Sequence, residues 1–351
     1  MVGHARSQKI VMDGYGSYLG MEKGCFVLKD KHGTEERYPL FENPIGEVVL
    51  RSGNMISTGA LASLGFWDVD VMVMTQRGRP VAMMKSLEDD SHVKTRLCQY
   101  EAFIGEKRPY IAKQIVLSKM RGQNILLEKY GLQPHDEEAI TSKIYDLESP
   151  DPVSFGQRLN GIEGKFTEHY FRQVLGLLPE KLRPEKRKKF KAYDGVNNII
   201  NLAYEVLQWK VHRAIIKAKL EPYLGFLHSV QFGKPSLICD LQEIYRYLVD
   251  DFVIQFCQSL KEKDFTVKSE SVNRKRKGKR EYLNDKETRR LMKELESFFE
   301  SRIEIPLIRH GKRQRIETLI NEEALLLAKY LRGEKTDWTP RITRARVLLN
   351  S

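Results

Sequence analysis

The sequence predicts an α+β protein of two domains, a small β-sandwich or sheet domain over residues 1–90 and a larger all-helical domain over residues 91–351. Three observations predict it. Residues 1–90 alternate short apolar runs with glycine-bearing turns. Beyond Ser91 the apolar spacing lengthens to three and four. A chain of 351 residues is also long enough for about two cores.

In the β part, residues 9–12 and 25–28 are apolar runs set apart by Gly14, Gly16, Gly20 and Gly24. Residues 46–50 form a third run, closed by the turn signal Ser52-Gly-Asn54. Residues 69–74 partly alternate before Gln76-Arg-Gly78-Arg-Pro80 and one more strand-like run near Val81. Residues 58–64 read as a single short helix.

In the helical part, residues 93–103, 110–130 and 137–147 carry apolar positions at helical spacing with charges between them. A turn-rich break at 148–152 precedes the segment that bears Glu163. Asp194 is placed to N-cap a helix over 196–219 that turns Ile199, Ile200, Ala203 and Leu207 inward. Asn284 and Glu287 fit a capping box ahead of the stripe Leu291, Leu295, Phe298. A helix over 315–331 stops at Gly333, a residue suited to the C′ position.

Hydrophobic content of 41% and 30% charged residues argue against wholesale disorder. The net charge of +12 and pI near 9.3 raise the local concentration of polyanions, so nucleic acid leads the partner classes and anionic membrane stands second. No apolar run approaches the ~20 residues that span a bilayer, and the opening Met-Val-Gly-His-Ala-Arg lacks the apolar core of a secretory signal. Cys25, Cys98, Cys239 and Cys257 show no Cys-x-x-Cys spacing, which disfavours zinc or a disulfide framework. The expectation is a cytoplasmic protein with free thiols and no membrane association.

Two basic clusters interrupt the helical pattern. One spans 183–191 and includes Lys186, Arg187, Lys188 and Lys189. The other spans 274–280, includes Arg274, Lys275, Arg276 and Lys277, and reads as a mobile loop. Such runs are ordinarily solvated faces or arms. Beside a site acting on a polyanion they become candidate phosphate contacts.

That site is suggested by His228, a short loop ahead of Asp240 and Glu243, whose i, i+3 spacing puts both carboxylates on one helix face. Glu163, in Gly161-Ile-Glu-Gly164, is a third acid. Carboxylates suit hard cations such as Mg²⁺ and Mn²⁺, and an imidazole shifts the preference toward Mn²⁺ or softer metals. Each residue also has an ordinary structural role open to it. Glu163 could cap or pair on a helix surface, His228 could be a hydrogen-bonded core histidine, and Glu243 could pair with Arg246.

Several segments in order resemble the CRISPR-associated endonuclease Cas-one family, whose members insert spacers into CRISPR arrays. They are Leu50-Arg-Ser-Gly-Asn54, Ser57-Thr-Gly-Ala-Leu61, Arg77-Gly-Arg-Pro80, Gly161-Ile-Glu-Gly-Lys165, Asp194-Gly-Val-Asn197, Pro222-Tyr-Leu-Gly-Phe-Leu-His228 and Asp240-Leu-Gln-Glu243. The departure is Lys191-Ala-Tyr193, where the family often carries prolines.

The resemblance implies that Glu163, His228 and Glu243 hold the metal, with Asp240 either a supporting group or an alternative ligand. It implies a β domain that dimerises, a helical catalytic and DNA-binding domain, and assembly with a Cas-two dimer. The implied reaction is 3′-hydroxyl attack on repeat-boundary phosphodiesters in antiviral defence, with nuclease activity as well. Two other functions stand as alternatives. One is a non-catalytic DNA-binding assembly subunit that keeps the fold without a working site, against which the presence of all three ligand types argues. The other is a metal-dependent repair nuclease acting on branched DNA, which shares the same residues.

Overall fold

The computed structural model describes residues 8–39, 45–67, 69–75, 80–84, 91–148, 152–189, 193–273, 276–303 and 313–341. Its chain divides into two compact units, Met1–Asp90 and Ser91–Ser351.

The first unit is built from two four-stranded sheets. One has the order β1 (Gln8–Met12), β5 (Ile45–Arg51), β7 (Asp70–Met74), β8 (Pro80–Met84), with β1, β5 and β7 parallel and β8 antiparallel. The other has the order β4 (Glu35–Pro39), β3 (Cys25–Lys29), β2 (Tyr18–Glu22), β6 (Met55–Ile56). Ile10, Val48 and Val71 from the first sheet share one core with Leu19 and Phe26 from the second.

Helix α1 (Thr58–Phe66) adds Ala60 and Leu64 to that core. Ser57 caps it, its hydroxyl accepting the Ala60 N–H at 3.1 Å, as an N-cap serine does. At the Ser52-Gly-Asn54 turn, Gly53 takes φ +95°, a conformation glycine adopts without a Cβ penalty. The Asn54 amide donates to Met12 and Arg51 carbonyls and accepts the Ser17 N–H. These two family-like segments therefore do structural work. Arg77-Gly-Arg lies outside the described residues.

The second unit packs helices of eight to 23 residues around a long central one. After α2 (Ser91–Ile104) comes α3 (Lys107–Lys129), with Ile111, Ile115, Leu117, Met120 and Leu127 fully buried. Each such side chain contributes about 1.5–3 kcal/mol. Polar residues of α3 are buried as well, among them Gln114, Ser118, Lys119 and Gln123, so the middle of the helix, residues 114–120, is enclosed all round.

There follow α4 (Glu137–Tyr145), α5 (Pro152–Val174), α6 (Gly195–Lys217), α7 (Ser236–Glu243), α8 (Arg246–Cys257), α9 (Asp285–Glu300) and α10 (Ile316–Leu331). Asp194 caps α6 by accepting the Asn197 N–H at 2.7 Å. Asn284 caps α9 through the Glu287 N–H. The capping box is only half formed, because the Glu287 carboxylate turns to Arg290 at 2.6 Å.

The expectation of an all-helical second domain is corrected by two small antiparallel sheets. In one, β9 (Phe265–Asn273) pairs with β10 (Arg276–Leu283); in the other, β11 (Arg302–Ile303) pairs with β12 (Gln314–Arg315). The second basic cluster is thus largely on a hairpin strand and not a mobile loop. Its polar, charge-rich sequence hid the pairing, because a two-stranded ribbon needs no continuous apolar face. Arg274 and Lys275 lie outside the described residues, and Arg276 and Lys277 are placed in β10 by backbone register. No described helix is long and apolar enough to cross a membrane.

Candidate active site

Five elements converge on one cleft of about 830 Å³, lined among others by Lys119 of α3, Glu163, His228, Glu243 and Arg246 of α8. Helix α5 presents Glu163, half-buried, between Gly161 and Gly164, where a Cβ would meet nothing within 4 Å. The Thr167 hydroxyl, one turn on, donates to Glu163 Oε1 at 2.9 Å. Helix α7 ends on Glu243. The loop between α6 and α7 carries His228.

The two acids of α7 divide the work. Asp240 is fully buried. Its Oδ2 accepts the Phe226 and Leu227 N–H groups at 2.5 and 3.0 Å, and its Oδ1 accepts the His228 N–H at 2.9 Å. His228 Nδ1–H also donates to Oδ1, at 2.7 Å. Both oxygens are saturated, so Asp240 fixes the loop and orients the ring. In a neutral ring the tautomer this sets leaves Nε2 as the unprotonated nitrogen, the arrangement in which histidine acts as a ligand or base. Gly225 makes the approach feasible, since a Cβ there would stand 2.6 Å from the Ser236 carbonyl carbon and 2.7 Å from Asp240 Oδ2.

Glu243 is buried among cations. Its Oε1 pairs with Arg246 at 2.6 Å and its Oε2 with Lys119 at 2.8 Å. Oε2 nonetheless receives no hydrogen bond of normal alignment. Burial works to raise the carboxyl, and Arg246 first, then Lys119, overcome it and hold the group at about 2. The pairing with Arg246 is the ordinary role foreseen for Glu243, and it coexists with a place on the cleft. Lys119 also bonds Glu163 Oε1, so one ammonium bridges the two candidate acids.

The donor chemistry fits a hard divalent ion: two carboxylates from separate helices, one with an under-satisfied buried oxygen, and an imidazole with a free-lone-pair nitrogen. Among the described residues, however, no three His, Cys, Asp or Glu side chains stand close enough together to share an ion. Lys119 occupies the place between Glu163 and Glu243.

The first basic cluster forms another wall of the same cleft through Lys186, Arg187 and Lys189. Asn197 anchors it: its Oδ1 accepts the Lys188 N–H and an Arg187 N–H, and its amide donates to the Lys186 carbonyl. The Asp-x-x-Asn element thus caps α6 and ties the basic segment to it. Arg187 is committed inward, bonded also to Asn201 at 2.7 Å and stacked near the rings of Phe171 and Tyr204. It braces the wall, whereas Lys186 is exposed.

Three cleft residues escaped the sequence reading as site residues: Lys119, Arg246 and Asp250. Asp250 accepts the hydroxyls of Tyr170 and Tyr204 at 2.7 and 2.6 Å; burial raises its carboxyl against those bonds. Periodicity marks these positions as helical and interior, and says nothing of which cavity they face.

Comparison with known proteins places this architecture. The family model of the CRISPR associated protein Cas1 matches residues 10–288. The CRISPR-associated endonuclease Cas1 2 of Pyrobaculum aerophilum is 32% identical over 72% of this chain and 83% of its own. A casposase bound to integration product superimposes with a TM-score of 0.70 at 22% identity, covering 94% of this chain and 92% of that one. A chain of a partial Cas6-RT-Cas1–Cas2 complex gives 0.70 at 19%, covering 95% of this chain and 98% of that one. At those two identities the likeness is one of fold. With the family model spanning most of its length, this chain belongs to the CRISPR-associated Cas1 family.

Proposed function

We propose that this chain is a DNA integrase and endonuclease of CRISPR adaptation, joining the 3′-hydroxyl ends of short duplexes to phosphodiesters at repeat boundaries. The observation that carries the reading is the meeting of Glu163, His228 and Glu243 on one cleft that Lys186 and Lys189 also line. The family membership supports it, as does the fold shared with a casposase captured on its integration product.

In this reading Lys186 and Lys189 hold the DNA backbone by charge, which orients the phosphodiester without reading sequence. Asp240 keeps His228 in the tautomer that leaves Nε2 available. Arg246 keeps Glu243 ionised and in place. Mg²⁺ or Mn²⁺ held by Glu163, His228 and Glu243 would supply Lewis acidity at phosphorus and stabilise the attacking and departing oxygens. The reading includes a homodimer formed through the β unit and assembly with a Cas2 partner, the latter supported by the structural likeness to a chain of a partial Cas6-RT-Cas1–Cas2 complex.

The test is strand transfer of labelled duplex into supercoiled plasmid bearing a CRISPR repeat, with the cognate Cas2 and Mn²⁺ or Mg²⁺. The expected outcome is label joined to plasmid by the wild type and lost in Glu163→Ala and His228→Ala. Cleavage without joining would point to a repair nuclease. No reaction from wild type, with DNA binding intact in all three proteins, would leave an assembly subunit as the function.

A further inference from the structure

Lys119 is a buried cation that no motif in the sequence announced. It stands on α3, the enclosed central helix, and only 6% of its surface is exposed. Its ammonium contacts Glu163 on α5 and Glu243 on α7, the latter at 2.8 Å. With Arg246 on the other oxygen of Glu243, the two carboxylates face two cations, and the formal charges of these four groups balance.

We propose that Lys119 is a tethered stand-in for the divalent ion, seated between Glu163 and Glu243 when the ion is absent and displaced from between them when it binds. The inference rests on the metal reading given above. Two carboxylates brought together in a buried site without a cation repel one another, and neither can be left unpaired cheaply. A divalent ion added beside a retained ammonium would instead leave the cluster with an excess of two positive charges in low dielectric. The two cations are therefore alternatives for one position. Lysine suits the role: its ammonium is a compact point charge on a flexible four-carbon stem, and the cleft beside it has room for the displaced group.

Two consequences separate this from a permanent structural ion pair. The ion must compete with Lys119, so removing the ammonium strengthens metal binding. The metal-free protein depends on Lys119 for local stability, and a bound ion relieves that dependence. A permanent brace would predict a lysine equally buried with and without metal, and a mutant weakened in both states.

The experiment measures Mn²⁺ binding calorimetrically in the full-length wild type, Glu163→Gln and Lys119→Met, the last keeping the stem without the charge. Lysine acetylation of the wild type is followed by mass spectrometry in EDTA and in saturating Mg²⁺, so one readout needs no variant to fold. The expected results are Mn²⁺ binding lost in Glu163→Gln and tightened at least about tenfold in Lys119→Met. Lys119 should be protected in EDTA and become reactive in Mg²⁺. Mn²⁺ binding that does not depend on Glu163 would overturn the metal reading and this inference together. Glu163-dependent binding with Lys119 protected throughout, or with Lys119→Met binding no tighter, would sink the inference alone.

Discussion

At the scale of single residues, Asp240 and His228 make a pair whose members should fail differently. Asp240 is fully buried and accepts three backbone N–H groups and the His228 ring. Asparagine at 240 replaces one acceptor oxygen with an NH₂ that faces donors, so at least one buried group loses its partner. Asp240→Asn should therefore cost about 2–4 kcal/mol of unfolding free energy. His228→Ala should cost about 1 kcal/mol or less while abolishing strand transfer, since it removes one partly exposed ring. Urea titration of both variants beside the activity assay checks this, and comparable stability losses would refute the division of roles. The spacing of Asp240 and Glu243 was legible in the sequence, and so was the nearness of His228. Which acid faces the loop and which the cleft was not, because both lie on one helix face and only the Gly225 approach decides between them. Lys119 was invisible for a plainer reason: its partners come from two distant helices, and no local pattern encodes that meeting.

At the scale of elements, the packing of α5 on α3 passes through a histidine. His135, in the segment between α3 and α4, is 8% exposed. Its backbone N–H donates to Asn124 at 2.7 Å, and its ring lies 5.5 Å from Phe166 and 5.3 Å from His169, both on α5. Burial, with His169 beside it, pushes the imidazole down to about 4. The folded value lies below the ordinary value near 6.5, so the unfolded chain takes the proton first. The stability contributed by neutral His135 is complete above about pH 6.5 and is lost as pH falls from there through about 4. His135→Gln should flatten that limb of the stability curve, measured by urea unfolding across the window. An unchanged slope would show that other groups dominate. The helices themselves were readable from apolar spacing, and Asp194 and Asn284 from cap chemistry. The β9–β10 hairpin was not, because its charged strands carry neither alternation nor β-branched runs strong enough to outweigh a loop reading.

Across the whole molecule, a net charge of +12 predicts affinity for polyanions without saying where they bind. The cleft narrows the question, because two adjacent basic residues there have opposite surroundings. Lys186 is exposed on the cleft wall, with Lys189 lining it nearby. Arg187 is held by Asn197 and Asn201 and sits against Phe171 and Tyr204. If Lys186 and Lys189 each neutralise one phosphate, their joint replacement by alanine should make the plot of log affinity against log salt shallower by about two units, at ~0.9 per contact on duplex DNA. The loss should be uniform across sequences, because phosphates carry no base identity. Arg187→Ala should instead lower stability by about 1–3 kcal/mol, since two asparagine acceptors lose their charged donor, and should change the salt slope by less than about half a unit. Fluorescence anisotropy over a salt series, paired with urea unfolding of each variant, tests both. A slope that responds to Arg187 and not to the lysines would mean that the guanidinium leaves its asparagine partners for the DNA, and that the wall rearranges on binding.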